Sequence, residues 1–272
     1  MSKRLAFSHQ SQDTSGPSMI LPLFTPLQWT LAAIAALCIG LSKSGFPGVA
    51  MISILLMAEL MPARESTGVI LPLLICGDFL AVGTFRRHVR WPYVWRTLPL
   101  TVVGIVLGFL LMKLPLHEGF FRILIGGVIL AMVLLQIARM RLPSLDQEVP
   151  AGGPAAWGAG LASGVTTMVA NAAGPVMAIY LIAMRLPQFE FVGTSAVFFM
   201  LVNLIKVPFS LKLGLINPHT LSLNLMLAPA VAAGVFAGRK ALAHIPRRAF
   251  EALVLILAAV AAIKLIIDGI RG

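Results

Sequence analysis

The sequence predicts an all-α, polytopic integral membrane protein with eight to ten transmembrane segments in two homologous halves. Of its 272 residues, 58% are hydrophobic and 11% are charged, whereas soluble domains have about 45–50% and about 25%. Apolar stretches close to the length of a membrane-spanning helix recur from residue 27 to residue 267. Helix-breaking residues interrupt the chain at corresponding points of the two halves. This composition excludes a water-soluble enzyme, and no polar stretch is long enough for a separate catalytic domain.

The chain divides into a tail, two membrane repeats and a linker. Residues 1–26 are rich in Ser and Gln, so we expect them to be disordered. The first repeat covers 27–138, a linker with charged residues and prolines covers 139–154, and the second repeat covers 155–272. Each repeat contains five apolar segments. They lie at 27–42, 46–61, 66–85, 94–113, 118–138, 155–170, 174–186, 190–211, 218–238 and 247–268.

The two halves show an internal repeat. An offset of 125 residues superposes Pro62 on Pro187 and Asp78 on Asn203. Such repeats are common in secondary transporters, where they have inverted topology, contain broken helices and enclose the substrate site near the middle of the membrane. We therefore expect inverted repeats here. At an offset of 130 three further pairs match: Pro99 with Pro229, Gly104 with Gly234, and Gly108 with Gly238.

Each half begins with a segment that small residues and proline interrupt. Irregular backbone at membrane depth persists only where protein or a water-filled cavity satisfies its polar groups, so these breaks predict a binding site. The alternative is a tight turn between two full spans at the membrane surface. The first break reads Ser42-Lys43-Ser44-Gly45-Phe46-Pro47-Gly48, and the second reads Asn171-Ala172-Ala173-Gly174-Pro175.

The net charge of +11 lies mostly in short loops between apolar segments, which argues against nucleic-acid binding and for orientation by the positive-inside rule. If all ten segments cross, the basic loops at 86–96, 139–141, 185 and 239–248 share one side, which would be cytoplasmic. If each broken pair counts as one crossing, the cluster at 239–248 lies outside instead.

Lys43 is the most informative candidate for a binding residue. An ammonium between two apolar segments is costly unless it faces a cavity or a partner, so it is a candidate charge for an anionic substrate. A lysine that snorkels to the interface is the alternative. Helix N-termini near the two breaks would add backbone N–H donors and positive dipole ends. The neighbours assigned to substrate binding on this basis are Ser42, Ser44, Gly45, Gly48, Gly174 and Pro175.

Asp78 lies deep in the third segment, and it is a candidate for carrying a coupling proton. Two other roles for Asp78 are equally consistent with the sequence: it could pair with Lys43 or Lys206, or it could cap a helix break. Asn203 and Lys206 share a helix face in the eighth segment and would complete the site, although Lys206 is near enough to the segment end to snorkel. Thr167 and Asn171 offer neutral hydrogen-bond donors to an oxyanion.

The sequence contains no pattern of residues that predicts catalysis or metal binding. The five histidines lie in the tail or in loops without metal-ligand spacing, and the two cysteines lie inside apolar runs. We see no nucleophile with its base and no phosphate-binding loop. We therefore expect no cofactor, no metal and no enzymatic activity. The expected partners are the lipid bilayer, a small anionic substrate and a coupling proton or ion.

The chain resembles the TauE/SafE family of sulfite and organosulfonate exporters over about residues 30 to 268. The first half contributes Gly40-Leu41-Ser42-Lys43-Ser44-Gly45-Phe46, Asp78 and Arg87-His88-Val89-Arg90-Trp91. The second half contributes Ala173-Gly174-Pro175, Phe191-Val192-Gly193-Thr194-Ser195-Ala196, Phe198-Phe199 and Asn203-Leu204-Ile205-Lys206-Val207-Pro208-Phe209. Many members carry a longer glycine run at the first break than this chain does, and that difference bears on the substrate.

The resemblance implies a multi-pass transporter of the cell (inner) membrane without enzymatic activity, whose relatives are linked to sulfite, sulfoacetate and other sulfur-containing anions. Together with the broken repeats, it leads to a functional hypothesis: a secondary transporter of small anions, sulfite or organosulfonates, that works by alternating access. An uncoupled anion channel and a transporter of another small anionic metabolite are the alternatives.

Overall fold

The computed structural model describes residues 24–44, 49–141, 153–241 and 247–271. These ranges contain ten α-helices and a 3₁₀ turn at Arg86–His88, and each predicted apolar segment corresponds to one helix. Most of the tail, which we expect to be disordered, and most of the linker lie outside the described residues. The helices are α1 (Pro26–Ser42), α2 (Ala50–Leu60), α3 (Ala63–Phe85), α4 (Trp91–Lys113), α5 (Glu118–Arg141), α6 (Pro154–Ala170), α7 (Ala173–Ala183), α8 (Gln188–Lys212), α9 (Pro218–Ala241) and α10 (Arg247–Arg271).

Four of these helices are long and apolar enough to cross a membrane within the described part of the chain. They are α3 with its 3₁₀ extension, α4, α8 and α9. A helix of about 20 apolar residues spans the hydrocarbon core, and these four have 23 to 26 residues each. The shorter α1 and α2 are apolar too. The protein is therefore an all-helical, multi-pass membrane protein, as the composition predicts.

Close helix pairs depend on glycines at two interfaces. Gly40 of α1 and Gly234 of α9 face each other, and a Cβ on either one would collide with the backbone of the other helix. Gly104 of α4 and Gly164 of α6 make the same kind of contact. Helices inside a membrane associate largely through van der Waals contact, which small residues strengthen by letting backbones approach. The matched glycines therefore join α1 to α9 and α4 to α6.

Helices α3 and α8 cross at the centre and run antiparallel. Near the start of α3, Gly68 packs against the backbone of Leu215, which follows the end of α8. Near the start of α8, Gly193 packs against Phe85 and His88 at the other end of α3. Among the described residues, these two helices carry Asp78 and Lys206, the two charged side chains in the buried core, so their crossing determines where the site lies.

The two breaks lie where α1 meets α2 and where α6 meets α7. Lys43 is the C-terminal cap of α1 in a right-handed conformation, and Asn171 is the cap of α6 in the left-handed conformation with φ 53°. Helix α2 begins at Ala50, four residues later than the apolar segment that predicts it, and α7 begins at Ala173, one residue earlier. Residues 45–48, which include the predicted helix start at Gly48, lie outside the described residues.

Candidate functional site

Two small adjoining cavities lie between the breaks and α8. Their volumes are about 30 and 40 Å³, and Lys43, Gly174 and Phe199 line both. A buried water needs roughly 10–15 Å³ of such space, so the pair admits a group the size of a few water molecules. The larger cavity reaches Asn171 and Asn203, and the smaller one extends along the first half of α8 past Ser195.

Lys43 enters this space from the end of α1 as part of a buried ion pair. Its Nζ lies 2.6 Å from Oδ1 of Asp78, and the side chains are 8% and 0% exposed, respectively. The Nδ2 of Asn203 donates a hydrogen bond of 2.7 Å to the other carboxylate oxygen. Two residues that the internal repeat aligns, Asp78 and Asn203, are therefore in direct contact at the crossing of α3 and α8.

The stem and head of Lys43 fit between two helices. A Cβ on Gly77 would lie 3.1 Å from Cγ of Lys43, so a small residue at this point of α3 gives the stem its room. The ammonium lies 5.1 Å from the centre of the Phe199 ring, within the range of a cation–π interaction. As the C-terminal cap of α1, it also lies at the negative end of that helix dipole.

Lys206 forms the second polar cluster, on the other side of the larger cavity. Its Nζ donates hydrogen bonds to Oδ1 of Asn171 at 2.5 Å and to Oγ1 of Thr167 at 3.1 Å. Asn171 in turn donates from Nδ2 to the backbone oxygen of Thr67. Lys206 is 2% exposed, and oxygens of Thr167 and Asn171 hold its ammonium inside the protein, so it does not take the alternative role of a lysine that snorkels to the interface.

The cavity also receives the beginnings of two helices. Ala50 at the start of α2 and Ala173 and Gly174 at the start of α7 line its wall. The first N–H groups of a helix have no partner within it, and the dipole adds positive potential there. With both lysines protonated and the aspartate ionised, the cluster carries a formal charge of plus one, which suits an anion.

One of the comparisons with known proteins identifies a family for this chain. The family model described as Sulfite exporter TauE/SafE matches residues 32–265, nearly the whole chain. The chain belongs to this family. No curated protein and no solved structure matches it at a significant level. The resemblance that the sequence motifs indicate is confirmed, and with it membership of a membrane transporter family.

Most of the residues predicted for substrate binding in this TauE/SafE chain meet at the cavities. Six line them directly, while Asp78 and Lys206 reach them through their partners. Ser44 instead donates to the backbone oxygen of Val235 in α9. Gly45 and Gly48 lie outside the described residues, and Pro175 lies in the first turn of α7. The six lining residues are Ser42, Lys43, Thr167, Asn171, Gly174 and Asn203.

The residues predicted from the sequence do not include the aromatic and small residues of α8 that form one wall of the cavities. Ser195, Phe199 and Asn203 follow one another at intervals of four and therefore share a helix face. This spacing, read backwards from Asn203, was a usable signal. Phe191, Val192 and Ala196 line the smaller cavity on the same side.

Proposed function

We propose that this TauE/SafE protein carries small anions, sulfite or organosulfonates, across the membrane by alternating access. The observation that carries the proposal is the cavity between the two helix breaks, which Lys43 lines directly and Lys206 approaches through Asn171 and Thr167. The anion would bind to the Lys43 ammonium, the amides of Asn171 and Asn203, and the free N–H groups at the start of α7.

The size and lining of the cavity support a small substrate. An oxyanion of a few heavy atoms matches the space beside Lys43, and the apolar wall of Phe191 and Val192 leaves room for a short organic group. In a transporter, such a site must bind tightly enough to select its substrate and weakly enough to release it. Because Lys43 is paired with Asp78, its affinity for an anion is lower than that of an unpaired lysine, which favours release.

The packing of the helices supports inverted repeats. The antiparallel run of α3 and α8 is what a two-fold axis in the membrane plane produces. Under that axis the contact of Gly68 with Leu215 corresponds to the contact of Gly193 with Phe85 and His88, and the α1–α9 interface corresponds to the α6–α4 interface. If each half can adopt the conformation of the other, the cavity opens first to one side of the membrane and then to the other.

The distribution of charge supports an orientation. The C-terminal ends of α3, α5, α7 and α9 lie on one side of the bundle, and basic residues follow or end each of them. We infer that this side is cytoplasmic by the positive-inside rule, which puts both ends of the helical bundle, Pro26 and Arg271, on the other side. The basic residues concerned are Arg86, Arg87, Arg90, Arg139, Arg141, Arg185, Arg239 and Lys240.

Exchange of labelled sulfite in proteoliposomes tests the proposal. Vesicles preloaded with unlabelled sulfite, sulfoacetate or chloride report which anions the protein accepts. Lys43→Ala should abolish exchange because it removes the charge that faces the cavity. Lys264→Ala is the matched control, since this lysine also contacts carboxylates, those of Glu59 and Asp268, but on the exposed surface.

The outcomes distinguish the alternatives. Exchange that is accelerated by a counter-anion inside the vesicle indicates a carrier, whereas a channel conducts without such acceleration. Exchange at the wild-type rate in Lys43→Ala would remove Lys43 from the mechanism. Absence of exchange with every anion, from protein that is folded and inserted, would reject the proposed substrates.

A further inference from the structure

Asp78 is a carboxylate buried in the middle of the bundle. Among the described residues it is the acidic side chain with no exposure at all. One oxygen contacts the ammonium of Lys43, and the other accepts from Asn203. The lysine that neutralises it is the same one that lines both cavities. A substrate anion and Asp78 therefore require the same positive charge.

We propose that Asp78 and the transported anion compete for Lys43, so that each anion binds together with one proton on Asp78. The inference rests on the proposed function and deepens it by naming the coupled species. When the ammonium turns toward the anion, Oδ1 of Asp78 loses its partner. A solvent proton then binds at Oδ1, while Oδ2 keeps the hydrogen bond from Asn203. Release of the anion reverses both steps.

Charge balance supports this order of events. The empty site holds Lys43, Lys206 and an ionised Asp78, a net charge of plus one. Binding of a monovalent anion together with a proton leaves that net charge unchanged. Binding of the anion alone would instead leave Asp78 ionised, buried and without its lysine, which is strongly unfavourable at low dielectric. The proton removes this penalty.

The surroundings of Asp78 contain few other groups that compete for this role. Lys43 of α1 contacts it directly, and Lys206 of α8 is the other charged side chain in the buried core of the described residues. The helix α9 faces this part of α3 with Val231. Lys206 keeps its neutral partners Thr167 and Asn171 and does not depend on Asp78 for a contact.

The test measures anion and proton movement together. Wild-type protein in proteoliposomes, with the membrane potential clamped, receives an inward gradient of methanesulfonate, a monovalent anion at every pH used. An internal pH dye should report that protons enter in equal number to the anions, and the flux should fall as the external pH rises. Asp78→Asn should abolish proton entry, remove the dependence on pH and make any remaining anion flux respond to membrane potential.

A binding measurement covers the case in which Asp78→Asn does not transport. Calorimetric titration of the detergent-solubilised protein with methanesulfonate, in two buffers of different ionisation enthalpy, gives the protons taken up per anion bound. Wild type should take up one proton per anion, and Asp78→Asn should take up none. Asp268→Asn, which changes an exposed carboxylate that also contacts a lysine, should behave as wild type.

Two results would overturn the inference in distinguishable ways. Anion flux or binding in wild type without any proton uptake rejects the coupling and leaves the proposed function intact. Absence of flux and of binding for methanesulfonate, sulfite and sulfoacetate, from folded protein, rejects the proposed function and the coupling with it.

Discussion

Lys43 and Asn171 occupy the same position in the two halves of the protein: each caps the C-terminus of the first helix and contacts a polar side chain of the third. Lys43 binds Asp78 on α3, and Asn171 binds Lys206 on α8. The arrangement is the same, but the charges differ, because the cap is the cation in one half and the neutral partner in the other. This difference gives the cavity its surplus positive charge.

Removal of Lys43 should affect stability and transport separately. Lys43→Ala leaves the buried Asp78 without its partner, which costs up to about 3–5 kcal/mol and should lower the melting temperature in detergent. The double variant Lys43→Met with Asp78→Asn removes both charges and keeps an acceptor for Asn203. It should recover most of the thermal stability while sulfite exchange stays absent. Recovery of exchange in the double variant would contradict the assignment of Lys43 as a binding charge.

The positive charge of Lys206 can be neutralised by replacing a neighbouring side chain with a carboxylate of nearly the same size. In Asn171→Asp a carboxylate replaces the amide whose oxygen lies 2.5 Å from the lysine Nζ. We expect the KM for anion exchange to rise by about tenfold or more, equivalent to about 1.4 kcal/mol. Asn171→Gly also removes the amide, and glycine adopts the left-handed conformation of this position freely. It adds no opposing charge, so its KM should rise less than that of Asn171→Asp. Equal KM values for the two variants would contradict this role of Lys206.

The amino-acid sequence carries enough information to predict the helices and most of the residues that line the cavities. Hydropathy marks ten segments that match the ten described helices closely, and the two residues aligned at an offset of 125, Asp78 and Asn203, are in contact. The partner of each lysine could not be read from the sequence. Asp78 was open to Lys43 or to Lys206, and only the crossing of α3 and α8 assigns it to Lys43.

The buried position of Lys206 could not be predicted from the sequence either. Distance from the segment end allowed it to reach the interface, but the C-terminal end of α6 approaches α8 and offers Thr167 and Asn171. Contacts of this kind join residues 35 and 39 positions apart and have no local signature. Phe199 was missed for a related reason, since an aromatic residue in an apolar helix has the same appearance whether it faces lipid or a cavity.

The glycine contacts predict that a single added methyl group lowers the thermal stability of the protein. Gly40→Ala and Gly104→Ala would each force two helix backbones apart, because the added Cβ meets the backbone of α9 or α6. Overpacking of this kind costs about 1–3 kcal/mol, so both variants should melt earlier than wild type. Gly158→Ala is the matched control, as its Cβ would have no atom within 4 Å. A similar loss in all three variants would contradict close approach as the cause, since alanine itself favours a helix more than glycine does.

The proposed orientation predicts which loops react with a membrane-impermeant thiol reagent. In a background without Cys38 and Cys76, Arg87→Cys lies in the exposed 3₁₀ turn after α3, and His219→Cys lies in the exposed first turn of α9 at the opposite side of the bundle. In whole cells His219→Cys should be labelled and Arg87→Cys should be protected until the membrane is permeabilised, because the basic loops are cytoplasmic. Labelling in the reverse pattern would invert the orientation. Labelling of both from outside would contradict the antiparallel run of α3 and α8, since that run puts the two positions at opposite ends.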